Sequence, residues 1–275
     1  MVGAALEALL RRDRAIVTAA LIVLTALAWS YLLWLVADMS MGGMDMSGFR
    51  MVPAGIGLMK PTTAPWNAIE FAFVFAMWAV MMIGMMTPSA APMILLYARV
   101  GGQAANTAKS LAATWWFTAG YLLVWTAFAF AATFAQWVLE RGSLLTPAMA
   151  GSGGVFGGIV MIAAGLYQWL PLKDACLRQC QAPWLFIQRH GGFRGDAPGS
   201  LLLGARHGIY CVGCCWVLMA LLFVGGVMNV LWIAAITIFV LAEKVVPAGR
   251  ALSRIAGLGF LAWGAWLLTD GLLEP

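Results

Sequence analysis

Three thiols crowd into five residues in the stretch Cys211-Val212-Gly213-Cys214-Cys215. On a helix, positions three and four residues apart share a face, so all three sulfurs point the same way. Thiolates are soft donors that select Cu(I), zinc or iron–sulfur centres, and three on one face supply most of a trigonal or tetrahedral shell. A single cysteine would be read as a small packing residue; a triplet at this spacing reads as a metal or redox site. His207 stands one helical turn before Cys211 and is either a fourth ligand or an interfacial histidine. A second pair, Cys176-x-x-x-Cys180, has the same one-face spacing. It is either two further ligands or two ordinary reduced thiols.

Methionine supplies the other sulfur. Met77, Met81 and Met85 form an i, i+4, i+8 stripe, with Met82 and Met86 beside it and Met93 beyond. Thioethers also suit Cu(I), although methionine is a common apolar filler. Upstream, Asp38-Met39-Ser40-Met41-Gly42-Gly43-Met44-Asp45-Met46 spaces Met39, Met41, Met44 and Met46 with small polar residues. Such a segment builds no core. It suits metal capture on an oxidising side of a membrane, because thioethers form no disulfides, though they oxidise to sulfoxide.

The elements that must position these sulfurs follow from composition. Of 275 residues, 63% are hydrophobic and only 10% charged, against about 25% charged in an ordinary soluble domain. Apolar runs near 15–37, 67–96, 111–139, 148–170, 201–224, 227–243 and 253–271 approach or exceed the roughly 20 residues a spanning helix needs. The expectation is an all-α, polytopic transmembrane bundle of about seven spans in one domain, 1–275. Residues 38–66 would form a Met-rich outer loop and 171–200 a cytoplasmic loop. Lysines and arginines cluster between alternate spans, which places the N-terminus in the cytoplasm and the C-terminus outside. Pro88 and Pro92 predict a kink in the second span. Gly153/Gly157 and Gly154/Gly158 predict a close helix-packing face, internal or between copies. Glu243-Lys244 reads as an interfacial ion pair. At 1.5 Å per residue the thiols and Met81–Met86 fall near mid-depth.

No nucleotide-binding, Ser-His-Asp or HExxH constellation is present in the sequence, and the expectation is a protein that is not an enzyme. The charge pattern signals topology, so neither nucleic acid nor nucleotide is an expected partner. Several longer stretches carry a family resemblance. They are Met81-Met82 with Met85-Met86-x-Pro88-Ser89-Ala90-Ala91-Pro92-Met93, Leu170-Pro171-Leu172-Lys173 with Cys176-Leu177-x-x-Cys180, and Gly204-x-Arg206-His207-Gly208-x-Tyr210-Cys211-Val212-Gly213-Cys214-Cys215-Trp216. Phe223-Val224-Gly225-Gly226-Val227-Met228-Asn229 and Glu243-Lys244-x-x-Pro247 continue it. Over about 66–257 the chain resembles a bacterial family of predicted metal-binding integral membrane proteins, a domain of unknown function. The resemblance implies a metal role for Cys176, Cys180, Cys211, Cys214 and Cys215. The combined expectation is a multi-pass protein of the bacterial inner membrane that transports, buffers or chaperones a soft ion, Cu(I) or else Zn. Its partners would be lipid and a copper chaperone or another membrane subunit. The rival readings are a membrane thiol-disulfide or electron carrier and a non-catalytic subunit of a membrane complex.

Overall fold

The computed structural model describes residues 2–40, 49–104, 107–146 and 149–273. Three long helices come first: α1 (Val2–Ser40), α2 (Ala68–Ala104) and α3 (Thr107–Arg141). Three short ones follow: α4 (Gly154–Tyr167), α5 (Pro171–Gln181) and α6 (Pro183–Arg189). Then come α7 (Ala197–Ala220), the single turn α8 (Leu222–Gly225), α9 (Val230–Val245) and α10 (Gly249–Leu273). A small antiparallel hairpin of β1 (Phe49–Met51) and β2 (Met59–Pro61) sits between α1 and α2.

Five helical stretches are long and apolar enough to cross a bilayer, or six if α4 and α5, which meet at 66°, form one broken span. α9 has 16 residues and rises about 24 Å, short of a roughly 30 Å hydrocarbon core. Large apolar side chains face outward: Leu231 is 83% exposed, Leu27 64% and Ile22 62%. Such a surface is compatible with a lipid surround and would be a liability in water.

α2 is the central column. Met77, Trp78, Met81, Met82, Met85 and Met86 are all fully buried. Pro88 and Pro92 lie inside this continuous helix. Pro88 has no N–H to give the Gly84 carbonyl, and Trp29 of α1 donates its indole N–H there instead, at 3.3 Å. Thr87 donates to the Ile83 carbonyl at 2.6 Å. The carbonyl freed by Pro88 is thus satisfied by a neighbouring helix.

Glycines set two close helix crossings. α4 and α10 run antiparallel, with Gly154 facing Gly271, Gly158 facing Gly264 and Gly165 facing Gly257. A Cβ on Gly158 would stand 2.8 Å from the Gly264 carbonyl oxygen. The Gly154/Gly158 pair anticipated on α4 is therefore spent on packing inside the chain, while a Cβ on Gly153 would meet nothing within 4 Å. α7 meets α3 in the same manner: a Cβ on Gly204 would lie 1.9 Å from the Phe117 carbonyl oxygen. Between α8 and α9 the chain breaks at Gly226, whose φ of +94° suits glycine. Asn229 then caps α9 by accepting from the Trp232 N–H.

The segment expected as a loop over 171–200 contains α5 and α6. Each has proline in its first turn, where the missing N–H costs nothing. α5 folds back to pack on α7.

Candidate metal centre

α7 begins at Asp196, whose carboxylate accepts from the Gly199 N–H at 2.8 Å. Gly204 and Gly208 press the next turns against α3. This fixes the rotation of the helix, so the following turn points inward. Cys211, Cys214 and Cys215 are consequently buried, at 1%, 1% and 0% exposure. The predicted single face is realised: the thiols of Cys214 and Cys215 both turn to the Cys211 carbonyl oxygen, at 3.0 and 2.9 Å.

α5 brings the other pair to the same place. The Cys180 thiol interacts with those of Cys211 and Cys214. Cys176 packs against Gly213, where an added Cβ would meet its sulfur at 2.7 Å. Tyr167, at the end of α4, donates to the Gly213 carbonyl and anchors the bend that aims α5. All five cysteines are free.

The Cys211 sulfur has two further partners, and these were not anticipated. Lys244 of α9 donates to it at 3.0 Å and to Ser89 of α2 at 2.9 Å. Tyr121 of α3 lies 3.1 Å from it and donates to the Met86 carbonyl at 3.2 Å. Four helices therefore converge on one sulfur. Glu243 and Lys244 do not form the expected interfacial pair. Both are buried, and adjacent residues on a helix cannot face one another. Glu243 instead pairs with Lys173 of α5 at 2.6 Å. Ser253 donates to the same carboxylate at 2.6 Å, and Lys173 also contacts Gln168. With Glu243 taken, Cys211 is the neighbour best able to carry the counter-charge of a Lys244 ammonium. The lysine falls in the run Glu243-Lys244-x-x-Pro247, but nothing in its local spacing ties it to a cysteine 33 residues earlier.

His207 is 2% exposed and lies between the rings of Phe117, Tyr121 and Phe186. Its Nδ1 has no partner. It sits one turn below Cys211, with a ring nitrogen still to be used. Met81 and Met85 lie in the same contiguous core as the thiols, on the helix that reaches Cys211 through Tyr121 and Ser89. Met41, Met44 and Met46, together with the side chain of Met39, lie outside the described residues.

Among the described residues, no three His, Cys, Asp or Glu side chains already stand as a ready-made metal shell. The geometry says why. Two thiols are turned to a backbone carbonyl, and the third sulfur is engaged by an ammonium and a phenol. The donor types nevertheless fit a soft ion, the thiols are mutual neighbours, and the Lys244 amine stands against the Cys211 sulfur.

Comparison with known families gives this chemistry a context. Residues 75–267 match the profile of the PpoB2 family, described as a copper chaperone. The chain belongs to this family. The matched region runs from α2 into α10 and takes in every cysteine, His207 and Lys244. The hairpin and the Met39–Met46 segment precede it. No curated protein and no solved structure matches the chain. Membership in the PpoB2 family supports copper handling.

Proposed function

We propose that this protein is a membrane-embedded Cu(I) carrier of the PpoB2 family that holds its ion among the thiols of Cys180, Cys211, Cys214 and Cys215 and passes it to a protein partner. The observation that carries the reading is the meeting of α5 and α7 thiols around a buried cation, Lys244. A group of sulfurs that already accommodates one positive charge in a dry core is suited to a monovalent soft ion.

Loading needs only side-chain motion. Rotation of Cys214 and Cys215 about χ1 would free both thiols from the Cys211 carbonyl and turn them to the ion. Cys180 would approach from α5, His207 offers a spare nitrogen, and Cys176 lies close enough to act as the next acceptor. Met81 and Met85 would line the route along α2, and Met39, Met41, Met44 and Met46 would gather the ion outside. In this reading the chain crosses the bacterial inner membrane seven times, counting α4 and α9 as short crossings, with the N-terminus in the cytoplasm. The segregation of Arg and Lys between alternate helices supports that orientation.

The test is competition for Cu(I) between reduced, purified protein and a chromophoric chelator, read beside X-ray absorption at the copper edge. Cys211→Ser and Cys180→Ser should each weaken binding by about 100-fold or more, or about 2.7 kcal/mol, and the absorption spectrum should show sulfur donors. A variant with all five cysteines changed to serine that binds Cu(I) as tightly as the parent sinks the proposal.

A further inference from the structure

At the other end of the bundle, away from the thiols, lies a cavity of about 560 Å³. It is formed by the chain after β2, the C-terminal turns of α3 and the turn after α3. Its lining includes Arg50, Trp66, Trp137, Glu140, Arg141 and Thr146. Arg50 is only 7% exposed. Its Nε donates to Glu70 at 2.6 Å, and its Nη1 donates to the carbonyls of Pro61, Thr62 and Ala64. Its Nη2 is buried and has no partner.

The acceptors here are already engaged. Glu70 takes Arg50 and Lys60, and Glu140 takes the Trp66 indole at 3.0 Å and Gln136 at 2.9 Å. The donors are not. Besides the Arg50 Nη2, Arg141 lies over the Trp137 ring with its Cζ 4.8 Å from the centroid, held at the cavity by that stacking. Thr146 accepts from the Ala150 N–H at 3.3 Å and keeps its own hydroxyl hydrogen to give. Of the charged residues lining the cavity, two guanidinium groups, Arg50 and Arg141, stand against one carboxylate, Glu140. A donor-rich, net positive cavity with indole walls repels a bare metal ion and is complementary to an acceptor with an apolar body.

We infer that this cavity binds a small organic carboxylate, its carboxyl group meeting the Arg50 and Arg141 guanidinium groups and its apolar part lying against Trp66 and Trp137. One negative charge matches the single excess positive charge, which favours a carboxylate over a phosphate dianion. The inference is independent of copper binding and goes beyond it.

The experiment is calorimetric titration of the full chain in detergent with cyclohexanecarboxylate, with neutral cyclohexanecarboxamide and inorganic phosphate as comparison probes. The expected result is saturable binding of the carboxylate with Kd below about 1 mM. The amide should bind at least tenfold more weakly, and phosphate should bind more weakly than the carboxylate. Arg141→Gln, at an exposed position, should weaken the carboxylate at least tenfold while leaving the protein folded. Arg50→Lys, which keeps the charge and shortens the donor fork, gives a second reading on the same site. The inference is overturned by no saturable binding, by equal binding of acid and amide, by tighter binding of phosphate, or by unchanged affinity in Arg141→Gln.

Discussion

Replacing Lys244 by methionine tests the electrostatic logic of the thiol centre. Its ammonium is buried against Cys211 and Ser89, and the only described carboxylate next to it in sequence, Glu243, is neutralised by Lys173. Charge at the centre can therefore be counted. If two of the four thiols are deprotonated around Cu(I), the loaded site carries one net negative charge, and the Lys244 ammonium cancels it. Without the lysine that negative charge is left unpaired in the core. An uncompensated buried charge costs about 3–5 kcal/mol. Relaxation of the site should still leave at least a 100-fold loss of Cu(I) affinity, about 2.7 kcal/mol. The metal-free variant should stay close to the parent in stability, since the desolvation cost of the ammonium is lost together with its hydrogen bond to Cys211, and Ser89 keeps its 3.0 Å bond to the Met86 carbonyl. The assays are Cu(I) competition and SDS-induced unfolding on the same preparation. Unchanged copper affinity in Lys244→Met would refute the charge count. Loss of both stability and affinity would show that the lysine only holds the fold.

Glu243→Gln strands the Lys173 charge in the core and should cost about 3–5 kcal/mol in SDS unfolding; adding Lys173→Met should recover most of that. A double variant as unstable as the single one would contradict this. Gly264→Val brings a side chain within 2.9 Å of the Gly158 carbonyl oxygen and should destabilise by about 1–3 kcal/mol, whereas Gly153→Ala, with nothing within 4 Å of the added carbon, should change stability by less than about 0.5 kcal/mol. Trp78→Phe removes the 2.7 Å bond to Gln136 Oε1 inside the bundle and should cost about 1–3 kcal/mol by leaving that acceptor unpaired, measured in the same unfolding assay. Asp174→Asn breaks a 3.7 Å pair to the half-exposed Arg254 and should cost less than about 1 kcal/mol.

Much of this architecture was legible in the sequence because the periodic signals are local. Apolar runs give helices, the i, i+3, i+4 thiols share a face, and Gly154 and Gly158 mark a helix contact. The fold of α5 was less legible. Its mean hydropathy is low, and a polar 11-residue stretch looks like a loop. Only the bend after Tyr167 turns it back so that Cys180 reaches Cys211. Lys244 was misread for a related reason: a Glu-Lys dipeptide near the end of a span resembles a surface pair. The partners that give each residue its own role, Lys173 and Cys211, come from helices 70 and 33 residues away. Such pairings are set by which helices pack together, and no short-range pattern carries that information.

Unpaired polar atoms distinguish the sites from the scaffold. Where water is scarce, a buried polar group without a partner is costly, so most of them are matched within the protein. Thr114, Thr118 and Thr133 return their hydroxyls to their own helix, and Trp29 answers the carbonyl freed by Pro88. Among the described residues, four buried side-chain atoms remain without a partner: Arg50 Nη2, Trp125 Nε1, Gln168 Nε2 and His207 Nδ1. Gln168 belongs to the Lys173–Glu243 cluster, and Trp125 lies one turn above Tyr121 on α3. The other two fall at the two candidate sites, His207 below the thiols and Arg50 at the donor-rich cavity. A donor left over beside a cavity and a ring nitrogen left over beside soft sulfurs are the same kind of observation. Each is a hydrogen-bonding or ligating capacity that the folded chain does not use for itself, and each is placed where a bound anion or a bound cation would use it.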